Sequence, residues 1–295
     1  MKSRFFRGLI AFLLLGVILS AMDYVWLLRT GKLGRGKAIG LIELKGVIDD
    51  DKGEEIVSLL ERARKDGRIG AVLLRIESPG GMVAPSQEIY HEILKVRGEG
   101  KPVVASIGSV GASGGYYAAS ACEKVFASGG TLTGSIGVIF SFSNLQELMK
   151  KVGVKQVVLK SGKFKDVGSP FRELTPEDKR LIQEMINDIY EQFVEDVAKQ
   201  RGLAVEKVKE YADGRVMTGR QALKAGLIDG LKGEVEVLAY LSKRLGVKGE
   251  ARVIRLKREI GFWERLSQVK GELQRIAEAI EDTAKLTKVE EVKVQ

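Results

Sequence analysis

The pattern of apolar and polar positions changes character along the chain. Lys2, Arg4 and Arg7 lead into an apolar run from Gly8 to Leu28 that only Asp23 interrupts. At 1.5 Å rise per residue, a helix over that run is about 30 Å long, enough to cross a bilayer core. Signal-peptide cleavage prefers small residues at the cut, and Leu19-Ser20-Ala21 puts Leu where one is wanted. Tyr24 and Trp26 suit the membrane interface. Residues 1–29 are therefore read as a retained, single-pass N-terminal transmembrane helix. Basic residues stand on both sides of it (Arg29, Lys32, Arg35 and Lys37 follow), so flanking charge does not choose an orientation.

After a Gly-rich basic linker, short apolar runs alternate with helical spacings. Ala38–Leu44, Ala71–Ile76 and Pro102–Ile107 read as buried strands. Glu54–Arg64, Ala84–Val96 and the small-residue stretch Ser113–Ala121 read as helices. Further strands are expected at Glu123–Ala127, Ser135–Phe140 and Val154–Lys160, with a helix at Asn144–Val152 between the last two. Such β-α-β alternation implies a mostly parallel sheet with helices packed on it. Thr175-Pro176-Glu177-Asp178 starts a long helix: a Thr cap, Pro in the first turn, then acids against the dipole. Its apolar stripe, from Leu181 to Val197, is expected to be core or subunit interface. Two shorter helices, Gly219–Ala225 and Glu234–Leu245, close the main domain, set at residues 30–250. In residues 251–295, Leu266, Val269, Leu273, Ile276 and Ile280 form a narrow amphipathic seam.

Composition narrows the chemistry. A chain of 295 residues with 44% apolar content is long enough for a real core. The net charge of +9 comes without a long basic run or interleaved aromatics, so a membrane face fits it better than nucleic acid. With one Cys and one His, neither an intrachain disulfide nor a Cys/His metal site is expected. The same shortage bears on catalysis: any His-based triad would have to use His91, which falls mid-helix beside Tyr90 and Glu92.

The densest unusual stretch is Gly108-Ser109-Val110-Gly111-Ala112-Ser113-Gly114-Gly115, between a strand and a helix. A serine there sits on a tight turn, glycines let a substrate backbone approach, and the helix start offers free N–H groups to a developing oxyanion. Ser113 is equally well placed as a plain helix cap. The G-x-S-x-G pattern of α/β-hydrolases also fits, but that fold needs its His after the Ser, and His91 comes before. A second loop, Ser78-Pro79-Gly80-Gly81, reads either as an ordinary turn or as an oxyanion donor, with Gly81 the better candidate and Gly80 second. Lysine is the remaining common base for a serine nucleophile, and composition does not select one.

Four segments in order, with a fifth behind them, resemble one family. They are Ser78-Pro79-Gly80-Gly81; Gly111-Ala112-Ser113-Gly114-Gly115-Tyr116-Tyr117; Thr133-Gly134-Ser135-Ile136-Gly137-Val138; Lys160-Ser161-Gly162-Lys163-Phe164-Lys165-Asp166; and Gly214 to Ala222. Together they are similar to the signal peptide peptidase A family, Ser–Lys proteases of the ClpP/crotonase fold, over about residues 39–230. The resemblance implies Ser113 as nucleophile, Lys165 as general base with Lys163 its rival, and Ser135 positioning the lysine. It implies Gly81 and Gly114 as oxyanion donors, and no cofactor or metal.

It further implies a membrane-bound serine endopeptidase, its catalytic domain on the extracytoplasmic side of the cell membrane. Its substrates would be cleaved signal peptides or other unfolded peptides. Members assemble into homo-oligomeric rings, and in half-length forms the lysine can come from a neighbouring subunit. The alternatives are a stomatin-type membrane-partner protease of the same fold, a catalytically silent membrane scaffold, and an acyl-CoA enzyme of the crotonase type.

Overall fold

The computed structural model describes residue 22 and residues 38–258. Apart from Met22, the expected anchor over residues 1–29 lies outside the described residues, as does the amphipathic seam from Leu266 to Ile280. Among the described residues, no helix is long and apolar enough to cross a membrane.

The period-2 alternation of the first strands decides the layering. In β1 (Ala38–Lys45), Ile39 and Leu41 point to one face while Ile42 and Leu44 point to the other. In β2 (Ile69–Ser78), Ala71 and Leu73 likewise oppose Val72, Leu74 and Ile76. Both faces are therefore apolar, as a parallel sheet sandwiched between helices requires. The sheet follows the order β6-β5-β3-β2-β1-β8, with β4 beside β3 and β7 beside β4. β3 is Val103–Ala112, β4 Lys124–Ala127, β5 Leu132–Gly134, β6 Val216–Thr218, β7 Gly230–Leu231 and β8 Val253–Arg255. All pairings are parallel except β5 with β6.

The larger core packs α1 (Asp50–Lys65), α2 (Val83–Gly98), α3 (Gly114–Ser120) and α5 (Pro176–Arg201) on one face. The smaller one packs α8 (Glu234–Arg244) on the other through Val237 and Leu241. The remaining helices are α4 (Gln146–Lys151), α6 (Val205–Lys209) and α7 (Gly219–Lys224). Helix α3, made of Gly, Ala, Tyr and Ser, is buried along its whole length, which small side chains permit. Its Tyr116 is fully buried and donates to the Leu227 carbonyl at 2.7 Å. Burial pushes that phenol well above its ordinary range.

Helix α5 starts as its sequence specifies. Thr175 accepts from the Asp178 N–H, Asp178 accepts from the Thr175 N–H, and Pro176 fills the first turn. It ends on Gly202 in the left-handed conformation. The C-terminal part of its apolar stripe joins the larger core through Phe193, Val194 and Val197; nearer its start Ile182 is buried, whereas Met185 is exposed and Ile186 and Ile189 are half-buried.

The structure departs from the pattern in several places: β6, β7 and α6 were not expected, and β3 runs on to Ala112. Ser135–Phe140 and Val154–Lys160 are not strands; residues 135–145 and 154–160 carry no regular structure. Their β-prone side chains find no sheet neighbour among the described residues, and Val157 and Leu159 are 75% and 94% exposed. Strand β5 is Leu132–Gly134, earlier than expected, because Thr133 is drawn against β3 by its hydroxyl bond to the Gly111 carbonyl. Strand β8 lies beyond residue 250 and pairs with β1, bringing Leu256 into the larger core.

Candidate active site

The serine of the glycine loop sits on a strained corner. Ser113 follows β3 and occupies the N-cap position of α3 with φ 51° and ψ −123°, a conformation that side-chain-bearing residues adopt at a cost of roughly 1–3 kcal/mol. Two bonds hold it: the Ser113 N–H donates to the Gly134 carbonyl at 2.9 Å, and its carbonyl accepts from the Tyr117 N–H at 2.8 Å. Its side chain makes no cap bond, so the plain-cap reading does not describe it. The hydroxyl bonds to no described residue and stands where two grooves meet, both of which include Ser113.

The Ser78–Gly81 loop packs directly on this corner. A Cβ on Gly80 (φ +105°) would lie 2.7 Å from the Ser113 Cβ and 2.8 Å from the Gly114 nitrogen, so only glycine fits. The Gly80 N–H is taken by the Ser78 hydroxyl at 3.1 Å. An extended bridge to Ile48 fixes the next residue: Ile48 donates to the Gly80 carbonyl, and Met82 donates to the Ile48 carbonyl. The Gly81 nitrogen then stands 3.4 Å from where a Gly114 Cβ would be. Neither the Gly81 nor the Gly114 N–H donates to a described residue. Two amides beside a free hydroxyl, one at a helix start, are what an oxyanion requires.

The first groove, about 100 Å³, has mostly apolar walls from Val83, Val138, Ile139, Ile189 and Phe193, with Ser86, Gln87 and Tyr117 as polar groups beside Ser113. Behind it Tyr90 donates to Asp196 at 3.1 Å, and Tyr117 donates to the same carboxylate. Burial and that carboxylate together raise the Tyr90 phenol to about 12. The second groove, about 700 Å³, joins Ser113 to Ser135, Gln183, Asn187 and Asp213. Ser135 also has positive φ, 52°, and is pinned by its N–H to the Arg215 carbonyl at 2.8 Å. Helix α5 thus lines both grooves through Ile186, Ile189, Tyr190 and Phe193. The reading of its stripe as core or interface missed this role.

Lys165 is exposed on the turn Gly162–Gly168 and lines neither groove. Lys163 pairs with Glu177 and lies 5.4 Å over the Phe164 ring. The turn itself is firmly mounted. Asp166 accepts from Lys160 at 2.7 Å and from Arg172 at 2.9 and 3.0 Å, and Arg172 also holds Asp178 in the cap of α5. These partners keep the Asp166 carboxyl far below the carboxylate range, Arg172 contributing most, and Asp178 at about 2, again mainly through Arg172. His91 is exposed, edge-on to Tyr90, and lines neither groove. Among the described residues no His/Cys/Asp/Glu group is arranged to hold a metal.

Residues 95–248 match the profile of Peptidase family S49. A protein of Synechocystis sp. named as a protease is 46% identical over 216 residues, covering 73% of this chain and 77% of that protein. A protein of Enterococcus faecium named as a signal peptide peptidase SppA is 38% identical over 190 residues, 64% of this chain and 55% of its own. The chloroplastic serine protease SPPA of Arabidopsis thaliana is 34% identical over 229 residues, 74% of this chain and 34% of that one. The alignment thus spans little more than half of the Enterococcus protein and a third of the Arabidopsis one. With the strained serine, the paired amides and the α/β sheet, these matches establish that the chain belongs to peptidase family S49, the SppA family of serine proteases.

Proposed function

We propose that this protein is a membrane-bound serine endopeptidase that cuts peptides with a Ser113–Lys165 dyad. The observation that carries the reading is the Ser113 corner: a strained backbone presents a hydroxyl beside the Gly81 and Gly114 amides, and none of the three bonds to a described residue. Ser113 Oγ attacks the scissile carbonyl as its proton passes to the neutral Lys165 amine. The oxyanion is held by the two N–H groups. The protonated lysine then gives its proton to the leaving amine, and water hydrolyses the acyl-enzyme with lysine as base again. Ser135, across the second groove from Ser113, positions the lysine by a hydrogen bond. Keeping a lysine neutral at pH 7 costs about 4.6 kcal/mol against its free pKa near 10.4, so the amine must be desolvated in use.

The exposed Lys165 therefore acts in the groove of a second copy within a homo-oligomeric ring. Support comes from the unpaired segment before it, where Ile139, Val157 and Leu159 are between 75% and 94% exposed. Apolar side chains in such a run are usually covered by a partner. Substrates are unfolded peptides, cleaved signal peptides among them, since an extended chain fits a groove flanked by amides. The N-terminal run supplies the single-pass anchor and the catalytic domain works on the extracytoplasmic side. A substrate panel that favours a membrane-partner protein over signal peptides would move the assignment to the stomatin-type protease.

The test is hydrolysis of fluorogenic peptides by the full chain in detergent, beside Lys165→Ala. Cleavage by the parent and silence of the folded variant support the dyad. Equal turnover by both refutes Lys165 as base.

A further inference from the structure

Strand β3 does not run straight into Ser113. It pairs with β2 in register through Ile76 and Ile107, and the next paired residues are Ser78 and Gly111. One residue of β2, Glu77, therefore faces three of β3: Gly108, Ser109 and Val110. The two extra residues form a bulge, and across it β3 changes neighbour, from β4 up to Ile107 to β5 from Val110. A bulge leaves backbone groups without ladder partners, and half-buried ones need another.

Side chains supply those partners from both sides. The Glu77 carboxylate accepts from the Ser109 N–H at 2.9 and 3.1 Å and from the Val110 N–H at 3.4 Å. Thr131 donates its hydroxyl to the Gly108 carbonyl at 2.6 Å. Arg75 holds the carboxylate in place, donating to Glu77 at 2.8 Å while its Nε lies 3.4 Å from Glu234 of α8. The backbone makes room for this clamp at Gly108, where a Cβ would fall 1.6 Å from Glu77 Oε1. The bulge therefore requires both the carboxylate and the glycine, and neither touches the grooves at Ser113.

We propose that Glu77, held by Arg75, is a positioning residue for catalysis: it fixes the β3 bulge and so sets where the Ser113 hydroxyl stands relative to the Gly81 and Gly114 amides. The link is short, because Gly111, Ala112 and Ser113 follow the bulge directly and Glu77 immediately precedes the Ser78–Gly81 loop. One side chain ties the strand carrying the nucleophile to the loop carrying an oxyanion donor. The inference rests on Ser113 being the nucleophile. Misplacing a reacting group by about an ångström costs on the order of a hundredfold in rate.

The experiment follows phosphonylation by a fluorophosphonate probe, with the labelled residue mapped by mass spectrometry, and peptide kcat and KM, in the full chain and three variants. Glu77→Ala removes the clamp. Gly108→Ala displaces the carboxylate without removing its charge. Glu77→Gln keeps one acceptor. The expected result is a fall of about ten- to a hundredfold in kcat and in labelling rate for the two alanine variants, KM nearly unchanged, with Glu77→Gln recovering part of the loss. A purely structural role would lower thermal stability and leave the labelling rate of folded protein alone. Folded variants that label Ser113 at the parent rate overturn the proposal and spare the nucleophile. If Glu77→Ala does not fold, parent-rate labelling of Gly108→Ala and Glu77→Gln overturns it equally. A probe found on a residue other than Ser113 overturns both readings.

Discussion

At the scale of single residues, the site is a set of backbone positions with one hydroxyl added. Ser113→Ala removes only an oxygen that bonds to no described residue, so the variant should fold as the parent does and lose peptide cleavage; turnover above a tenth of the parent would refute the nucleophile. Gly80→Ala tests the donors. Its methyl group would meet the Ser113 Cβ and the Gly114 nitrogen within 2.8 Å, and its φ of +105° is one that alanine resists. Displacing one oxyanion donor costs about 10²–10³-fold in kcat, which active-site titration followed by steady-state assay would resolve. Lys163→Ala should cleave normally, because Lys163 is already paired with Glu177. Its silence beside an active Lys165→Ala would exchange their roles. The glycines around Ser113 were legible as a loop that admits a backbone. That Gly80, and not only Gly81, is sterically indispensable was not legible, since it depends on a contact between segments about thirty residues apart.

At the scale of elements, strands β1 to β4 and helices α1, α2 and α5 were legible because each carries a clear apolar period and, for α5, a cap written in sequence. Helix α5 offers the cleanest tests. Thr175→Ala breaks the capping box and should lower stability by about 1 kcal/mol in denaturant unfolding. Arg172 joins that cap to the turn bearing Lys165, and it sets an acid response. Asp178 titrates at about 2 in the folded chain, below its ordinary value near 3.8. A depressed carboxyl contributes stability that is complete above the unfolded value and lost as pH falls through the folded one. The contribution should therefore hold down to about pH 4 and be gone near pH 2. In Arg172→Ala this slope should flatten, as acid unfolding followed by circular dichroism would record. Ser135–Phe140 and Val154–Lys160 were misread as strands because β propensity needs a neighbouring strand to become a strand, whereas the helix expected between them is present as α4. The bulge in β3 was equally invisible: Gly108-Ser109-Val110 reads as loop, and only pairing with β2 reveals two surplus residues inside a strand.

At the scale of the molecule, the two residues of the proposed dyad stand on different supports: Ser113 at the C-terminal end of the interior strand β3, Lys165 on an exposed turn whose Asp166 is tied through Arg172 to the start of α5. If the lysine serves a second copy, specific activity should fall on dilution below the assembly concentration, and mixing Ser113→Ala with Lys165→Ala should restore part of the activity. Concentration-independent activity, and silence of the mixture, would place the dyad in one chain. The positive φ of Ser113 also bears on how such a protein can change over generations. At φ 51° the fold itself would be better served by glycine, so Ser113→Gly should be silent yet melt at a higher temperature than the parent. A lineage released from cleaving peptides would gain sturdiness by giving up its hydroxyl. The serine is retained against that gradient only while cutting is selected.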